Sequence, residues 1–186
     1  MQRNINCAQW FICAVAFVSL FTFAWRKYDE WRDYRWYEDR IDSFGKDTVQ
    51  PLDVPRERIV TTANLSGRWL LHGHRSGSAR MTFEPMESGN ASEYRVAFDT
   101  HACTSNYSAD RTAHFLDGNV FLNRPVADSR GFAYQTLCCV HVGRTKVLVP
   151  TARTEATQGL LEAIRRAEDD NEWRVLESLV YVYEGP

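Results

Sequence analysis

Three short groups of histidine and cysteine are the residues of this chain whose types and spacing could support chemistry. His72 and His74 are two residues apart, so on a β-strand both side chains point to the same side, as a pair of metal ligands would. The other groups pair a histidine with a cysteine two residues away: His101 with Cys103, and His141 with Cys139. Close neighbours in sequence rarely have the geometry of a Cys–His nucleophile. We interpret these residues as partly exposed strand positions and expect no metal site and no catalytic site.

The remaining sequence lacks the motifs of the common enzyme and cofactor-binding classes. It contains no phosphate-binding glycine loop, no dinucleotide-binding glycine pattern, no Gly-x-Ser-x-Gly and no Cys-x-x-Cys. The formal net charge is −2, and lysine and arginine form no cluster after residue 63. We therefore expect no enzymatic activity, no bound cofactor and no nucleic-acid partner.

Three cysteines in the second half of the chain leave the redox compartment open. Cys138 and Cys139 are adjacent, so on a strand they point to opposite faces. In an oxidising compartment Cys103 would pair with one of them, whereas in the cytoplasm all three would be ordinary buried thiols. The sequence favours neither alternative.

A long apolar run lies near the N-terminal end of the sequence. No charged residue occurs from Cys7 to Trp25, and at about 1.5 Å per residue the run spans roughly 28 Å, close to the hydrocarbon thickness of a bilayer. Trp10 and Trp25 bracket it, as aromatic residues do at membrane interfaces. We predict that residues 1–25 are an uncleaved anchor in the lipid bilayer. The alternative is a cleaved secretory signal, with Arg3 as its basic start and residues 22–24 as its cleavage site.

Two arguments about the side of the membrane oppose each other. Basic residues come soon after the run, and by the positive-inside rule they would place the large domain in the cytoplasm: Arg26, Lys27, Arg32, Arg35 and Arg40. A short tail ahead of a first hydrophobic segment, in contrast, most often leads to export of the downstream chain. We expect a single-pass membrane protein with an extracytoplasmic domain.

A charged and aromatic segment at residues 26–46 comes directly after the anchor. It has no proline and no glycine before Gly45, so we predict that the membrane helix continues through it without a break. An aromatic stripe on this helix is too apolar to stand in water, and we expect it to bind another membrane protein or the chain's own β-rich domain: Trp31, Tyr34, Tyr37, Ile41 and Phe44. The plainer interpretation places the first turns among lipid headgroups. Residues 47–63 are predicted to be a linker.

Short runs of alternating apolar and polar residues predict a β-rich globular domain over residues 64–186. The predicted strands are 67–74, 80–85, 94–99, 112–116, 119–124, 132–142 and 145–149, with a closing strand near 180–183. Asp117-Gly118 predicts a tight hairpin, and an amphipathic helix is predicted from Thr154 to about Asp170. The predicted fold class is mainly β with helices. A transmembrane helix, extended by a juxtamembrane helix, precedes an antiparallel meander or barrel with one helix near the C-terminus.

Gly67-Arg68-Trp69, at the start of the first predicted strand, resembles the Gly-x-Trp motif of the lipocalins. In that family the tryptophan plugs the floor of a barrel whose cup binds an apolar ligand. The resemblance therefore implies a cup for an apolar or lipid-like molecule, lined by Trp69, Phe83, Tyr94, Phe98, Phe115 and Tyr134. A barrel this small is also able to be filled by its own side chains.

These features support two hypotheses about function. The first is a non-enzymatic interaction protein or accessory subunit of a membrane assembly, with the β-rich domain as its interaction surface. The alternative is a tethered, lipocalin-like barrel that holds an apolar or lipid-like ligand. An open, apolar, preformed pocket would favour the alternative, and a filled core would favour the first hypothesis.

Overall fold

The structure is a computed structural model, and it describes residues 7–42, 56–62, 64–72, 77–87, 91–102, 105–127, 133–151, 154–169 and 172–186. These residues form a long N-terminal helix, a closed barrel of eight antiparallel strands and two helices near the C-terminus. The predicted fold class, mainly β with helices, is confirmed.

The N-terminal helix, α1 (Cys7–Asp42), is continuous. At about 1.5 Å per residue it is about 54 Å long. It contains a stretch, within Trp10–Asp39, that is long and apolar enough to span a membrane, and none of that stretch is buried among the residues that the structure describes. The predicted continuity of the membrane and juxtamembrane helices is therefore confirmed as far as Asp42, and Phe44 lies outside the described residues.

Eight strands close the barrel in sequence order, and the last strand pairs with the first. The strands are β1 (Gly67–His72), β2 (Gly77–Pro85), β3 (Glu93–Ala102), β4 (Ser105–Leu116), β5 (Asn119–Ala127), β6 (Ala133–Val142), β7 (Thr145–Pro150) and β8 (Tyr181–Gly185). Closure of the meander removes the open edge strands that would otherwise invite aggregation.

The hairpin of β3 and β4 is longer than the sequence pattern predicted. β3 continues past Asp99 to Ala102, and β4 begins at Ser105 rather than at Thr112. The two strands stay in unbroken antiparallel register along this whole stretch. Main-chain hydrogen bonds hold the polar residues there in an extended conformation, and alternation of apolar side chains does not report such bonds.

The turn between β4 and β5 lies at Asp117 and Gly118, as predicted. Their φ angles are +49° and +82°, as a type I′ turn requires. A Cβ atom at Gly118 would lie 2.1 Å from Cγ2 of Ile59, so close packing also demands glycine. Ile59 comes after a short 3-10 helix (Arg56–Arg58) and bridges to Val140 of β6. The last residues of the predicted linker therefore pack against the barrel.

Trp69 fills the end of the barrel where β1 begins. It is completely buried, as predicted, and its Nε1 donates a hydrogen bond to the carbonyl oxygen of Leu65 at 2.9 Å. Its ring centroid lies 5.1 Å from that of Tyr183. Gly67 has a φ of +119°, and a Cβ atom there would lie 2.5 Å from the carbonyl oxygen of Gly185. The Gly-x-Trp spacing therefore reflects the close approach of β1 and β8 beside the tryptophan.

Two helices, α2 (Thr154–Asp169) and α3 (Trp173–Glu177), accompany the barrel. Leu160 and Ile164 of α2 and Leu176 of α3 share a buried cluster with Val140 and Val147 from the outward face of β6 and β7. β6 and β7 are therefore buried on both faces, which explains their nearly continuous apolar sequence.

Candidate functional site

The last turns of α1 pack against β4, β5 and β6. The Tyr37 ring stacks on the Tyr107 ring of β4, with centroids 4.7 Å apart and 26° between the ring planes. Tyr34, one turn earlier, also meets Tyr107, at 5.6 Å between centroids. Tyr37 and Ile41 are 1% and 5% exposed and belong to the same buried cluster as the barrel interior. The end of α1 is therefore part of the core of the domain.

The main-chain pairing of β4 and β5 ends beside this contact, and the N–H of Thr112 instead donates to Oδ1 of Asn123 at 3.0 Å. The ladder of the two strands runs from the hairpin turn to the pair Ala113–Leu122 and stops there, although both strands continue. Pro125, on the continuing part of β5, has no N–H to donate to a ladder. We call this gap the β4–β5 seam. α1 contacts both strands, and Tyr107 lies on the continuing part of β4, so the helix covers the seam.

Arg111 bridges the seam with its side chain. It is 9% exposed, and its Nε and Nη2 both donate to the carbonyl oxygen of Pro125 at 3.3 Å. Its Nη1 donates to the carbonyl oxygen of Asp110 at 2.9 Å. A buried guanidinium and a proline discourage the addition of another strand at such a gap.

A hydrogen-bonded chain connects α1 to the barrel through Glu38, Tyr107 and Arg111. The Tyr107 hydroxyl donates to Oε1 of Glu38 at 3.1 Å, and Nη2 of Arg111 donates to the same hydroxyl at 3.4 Å. Burial raises the pKa of Tyr107, the Glu38 carboxylate raises it further, and Arg111 lowers it. The hydroxyl therefore stays protonated at neutral pH and links a carboxylate on the helix to a buried guanidinium.

The six residues suggested by the lipocalin resemblance all lie in the barrel interior: Trp69, Phe83, Tyr94, Phe98, Phe115 and Tyr134. The Trp69 and Phe83 rings meet edge to face at 6.4 Å, and the Phe83 and Tyr94 rings do so at 6.0 Å. Trp69, Phe98 and Tyr134 have no exposed surface, so no water-sized space adjoins them. Side chains therefore pack closely around these three residues, whereas Phe115 is 8% exposed.

The structure separates the residues of the predicted partner-binding stripe. Tyr37 and Ile41 face the barrel, while Tyr34 contacts Tyr107 and is still more than half exposed. Trp31 is exposed, and Phe44 lies outside the described residues. Tyr37 and Ile41 therefore pack against the chain's own barrel. Trp31 and the outer side of Tyr34 stay accessible.

A polar pocket that the sequence patterns did not reveal lies on the β2–β3–β4 side of the barrel. Its volume is about 320 Å³, and it is lined by Ser78, Arg80, Asp99, Thr100, His101 and Tyr107. Asp99 also accepts a hydrogen bond from the hydroxyl of Ser108. Three of the lining residues, Asp99, Thr100 and His101, belong to the polar end of β3, which alternation of apolar residues does not detect. The basic, acidic and hydroxyl groups of this pocket do not suit an apolar ligand.

Cys138 and Cys139 are free thiols on opposite faces of β6, as the strand geometry predicted. Cys139 points into the barrel, and Cys138 belongs to the cluster shared with α2 and α3. Burial raises the pKa of Cys138 to about 11 and that of Cys139 to about 12. Both thiols are therefore protonated and unreactive at neutral pH. Cys103 lies outside the described residues.

The histidines of the three candidate groups do not converge. His72, His101 and His141 are exposed on β1, β3 and β6, three strands of which no two are neighbours in the barrel. His74 lies outside the described residues. Within the described ranges, no group of three or more histidine, cysteine, aspartate or glutamate residues is placed to hold a metal ion.

No protein-family model, curated protein or solved structure matches this chain. Its class is therefore defined by its architecture, a closed eight-stranded antiparallel barrel joined to a long helix with one stretch able to span a membrane. The likeness to lipocalins is limited to the closed barrel and the buried tryptophan after Gly67.

Proposed function

We propose that this chain is a single-pass membrane protein that acts without catalysis, as an interaction or accessory subunit of a membrane assembly. α1 stays attached as the anchor, and the barrel lies on the extracytoplasmic side. The apolar stretch of α1 supports the anchor, since no part of the chain that the structure describes buries it. The burial of Tyr37 and Ile41 supports a helix that also positions the barrel.

One observation carries the proposal: the aromatic side chains predicted to line a cup pack together inside the barrel, and α1 contacts both strands of the seam beside them. Phe98 and Tyr134, two of the predicted cup residues, have no exposed surface. A barrel that carries an apolar molecule needs a preformed, largely apolar cavity. The burial of these two side chains therefore favours a protein that works through its outer surface over a ligand-binding cup.

Two surfaces are available to a partner in this proposal. On the barrel, Leu116 of β4 and Phe121 of β5 are exposed apolar side chains on the outward face. On α1, Trp31 and the outer side of Tyr34 are exposed. Exposed aromatic and aliphatic residues at the centre of an interface contribute most of its binding energy. We expect a membrane protein partner to bind at Leu116, at Phe121 and at the outer side of Tyr34, and not at Trp31.

The anchor is tested by the behaviour of the mature chain in its membrane. We expect the full-length protein to stay in the pellet after carbonate washing, because a spanning helix resists extraction at high pH. We also expect N-terminal sequencing to find the apolar run intact. A mature N-terminus at Trp25 would show that the run is a cleaved signal.

The choice between an accessory subunit and a ligand barrel is tested by native mass spectrometry of the full-length protein, purified from its membranes. We expect a recurrent protein partner before detergent exchange and the bare polypeptide after it. Phe98→Ala, which opens internal space, shows whether the assay would detect a retained apolar molecule. Leu116→Ser with Phe121→Ser should reduce partner recovery without changing the melting temperature. One apolar molecule held per wild-type chain would contradict the proposal.

A further inference from the structure

One face of α1 carries a continuous series of aromatic rings. The ring centroids of Phe21 and Trp25 are 6.1 Å apart, those of Trp25 and Tyr28 are 6.5 Å apart, and those of Tyr28 and Trp31 are 6.1 Å apart. The guanidinium of Arg35 lies 5.5 Å from the Trp31 ring centroid and ends the series. We call these four aromatic residues the aromatic ladder.

The aromatic ladder faces away from the barrel. Tyr28 precedes Tyr37 by nine residues, which corresponds to about 180° around the helix axis. Tyr37 is buried against the barrel, whereas every residue of the ladder is more than half exposed. Such a continuous exposed aromatic surface calls for a cover other than water. The barrel does not provide it.

The position of the ladder along α1 matches the headgroup layer of a bilayer. Trp25 and Trp31 are six residues apart, so they span about 9 Å along the helix axis, and the headgroup layer on each side of a bilayer is roughly 5–8 Å thick. Phe21 lies within the uncharged run, and the first charged residues come directly after Trp25. Tryptophan and tyrosine are enriched at this depth because one end of each ring system is apolar and the other is polar.

The charges around the ladder suit a layer that contains phosphate groups. Arg26 and Lys27 share one carboxylate, that of Glu30, at 3.5 Å and 2.7 Å, and Arg32 is paired with Asp29 at 3.1 Å, so residues 26–33 hold three basic and three acidic side chains. Arg35 adds another positive charge beside Trp31. Cations at the interface interact favourably with lipid phosphates, and their long side chains reach the headgroups from either side.

We infer that the aromatic ladder is a lipid-binding surface that lies in the phospholipid headgroup layer, with Trp25 at its inner edge and Trp31 at its outer edge. This inference rests on the proposed membrane anchor and specifies its depth. Tyr34, the first residue of α1 that meets Tyr107, lies only about 5 Å further along the helix axis than Trp31. The barrel is therefore held directly above the membrane surface on the side of α1 opposite the ladder, and not on a free stalk.

The experiment measures the depth of single tryptophans in vesicles of phosphatidylcholine with a minority of phosphatidylglycerol. The full-length protein is reconstituted with a nitroxide quencher either on the headgroup or in the middle of the acyl chain. Trp69 and Trp173 belong to the barrel domain and are kept in every variant as a constant reference. Four variants are made, and each keeps one tryptophan of α1 and has phenylalanine at the other three positions. The tryptophan kept is Trp10, Trp25, Trp31 or Trp36.

We expect the headgroup nitroxide to quench Trp31 at least about twofold more than the acyl-chain nitroxide does. Trp36 is the matched control, because it lies on the same helix about 16 Å beyond Trp25, and we expect neither label to quench it above the reference. Quenching of Trp10 and Trp25 without quenching of Trp31 would overturn the inference and leave the anchor standing. If none of the four is quenched, the anchor itself fails, and the inference fails with it.

Discussion

Tyr37 of α1 and Tyr107 of β4 stack with their ring centroids 4.7 Å apart. This contact connects α1, whose first half is the apolar run, to the wall of the barrel. It lies where the ladder of β4 and β5 has already ended at Ala113–Leu122. A barrel with such a seam needs a cover for its apolar interior. The helix that anchors the domain therefore also completes its core.

Removal of the Tyr37 ring should destabilise the barrel domain. We expect Tyr37→Ala to lower the free energy of unfolding by about 3–5 kcal/mol, the usual cost of truncating a buried aromatic residue. The measurement is urea unfolding of the full-length protein in detergent, followed by far-UV circular dichroism. Tyr28→Ala is the matched control, because Tyr28 is exposed on the opposite face of the same helix, and it should cost less than about 0.5 kcal/mol. Equal losses of unfolding free energy in the two variants would show that Tyr37 does not stabilise the barrel by covering the β4–β5 seam.

The hydroxyl of Tyr107 should couple Glu38 to the barrel. Tyr107→Phe keeps the ring stack and removes the hydroxyl, and we expect it to cost about 1–2 kcal/mol because Glu38 and Arg111 each lose a hydrogen bond. In a double-mutant cycle with Glu38→Ala, which removes the acceptor, the two effects should be non-additive by at least about 0.5 kcal/mol. Additive effects would mean that Glu38 and Tyr107 stabilise the protein independently of each other.

Trp69 should be the single most costly aromatic residue to remove from the end of the barrel where β1 begins. We expect Trp69→Ala to cost about 3–5 kcal/mol, since it removes a fully buried ring and leaves the Leu65 carbonyl without its indole donor. Trp69→Phe keeps most of the ring and should cost clearly less. The measurement is chemical unfolding followed by far-UV circular dichroism. A cost below about 1 kcal/mol for Trp69→Ala would contradict its place in the core.

The stability of the barrel should fall in alkaline solution. Burial holds the pKa of Cys138 at about 11 and that of Cys139 at about 12, above the ordinary value of 9.0 to which unfolding returns them. Because the folded pKa values are the higher ones, this stabilisation is fully present below pH 9 and is lost as the pH rises toward 12. The raised pKa of Tyr107 acts in the same direction above its ordinary value of 10.0.

Urea unfolding at about pH 8 and about pH 10.5 measures this dependence. The variant with Cys138→Ala and Cys139→Ala should show a flatter decline between these two conditions than the wild type. Its absolute stability also changes, because two buried side chains become smaller, so the slope with pH is the relevant quantity. An equally steep decline in both proteins would exclude the thiols as its cause.

Local patterns were enough to predict most of the secondary structure. The uncharged run predicted the first half of α1, the absence of helix breakers predicted its continuation, and Asp117-Gly118 predicted a tight turn that the φ angles confirm. Alternation identified the apolar parts of the strands. It missed the polar ends of β3 and β4, because the long hairpin there is held by main-chain pairing.

The site itself depended on contacts between residues far apart in the sequence. The aromatic stripe predicted that the residues near Tyr37 pack against another surface. No local pattern indicated whether that surface belongs to a partner protein or to the chain's own barrel. Local patterns also did not predict the seam, because it arises where the main-chain pairing of β4 and β5 ends. Arg111 and Pro125 are residue types that sheet interiors rarely contain, and together they were the available signal of a gap.

The most direct test of this account asks which molecule touches Tyr34 in the native membrane. Tyr34 is half exposed and meets Tyr107, so a photoreactive benzoylphenylalanine at this position should be tolerated and should reach β4. After irradiation of membranes that contain the full-length protein, we expect an adduct within a single chain, which peptide mapping should place in Ser105–Leu116. Adducts only with other polypeptides or with lipid, and none within β4, would contradict the claim that the anchoring helix seals its own barrel.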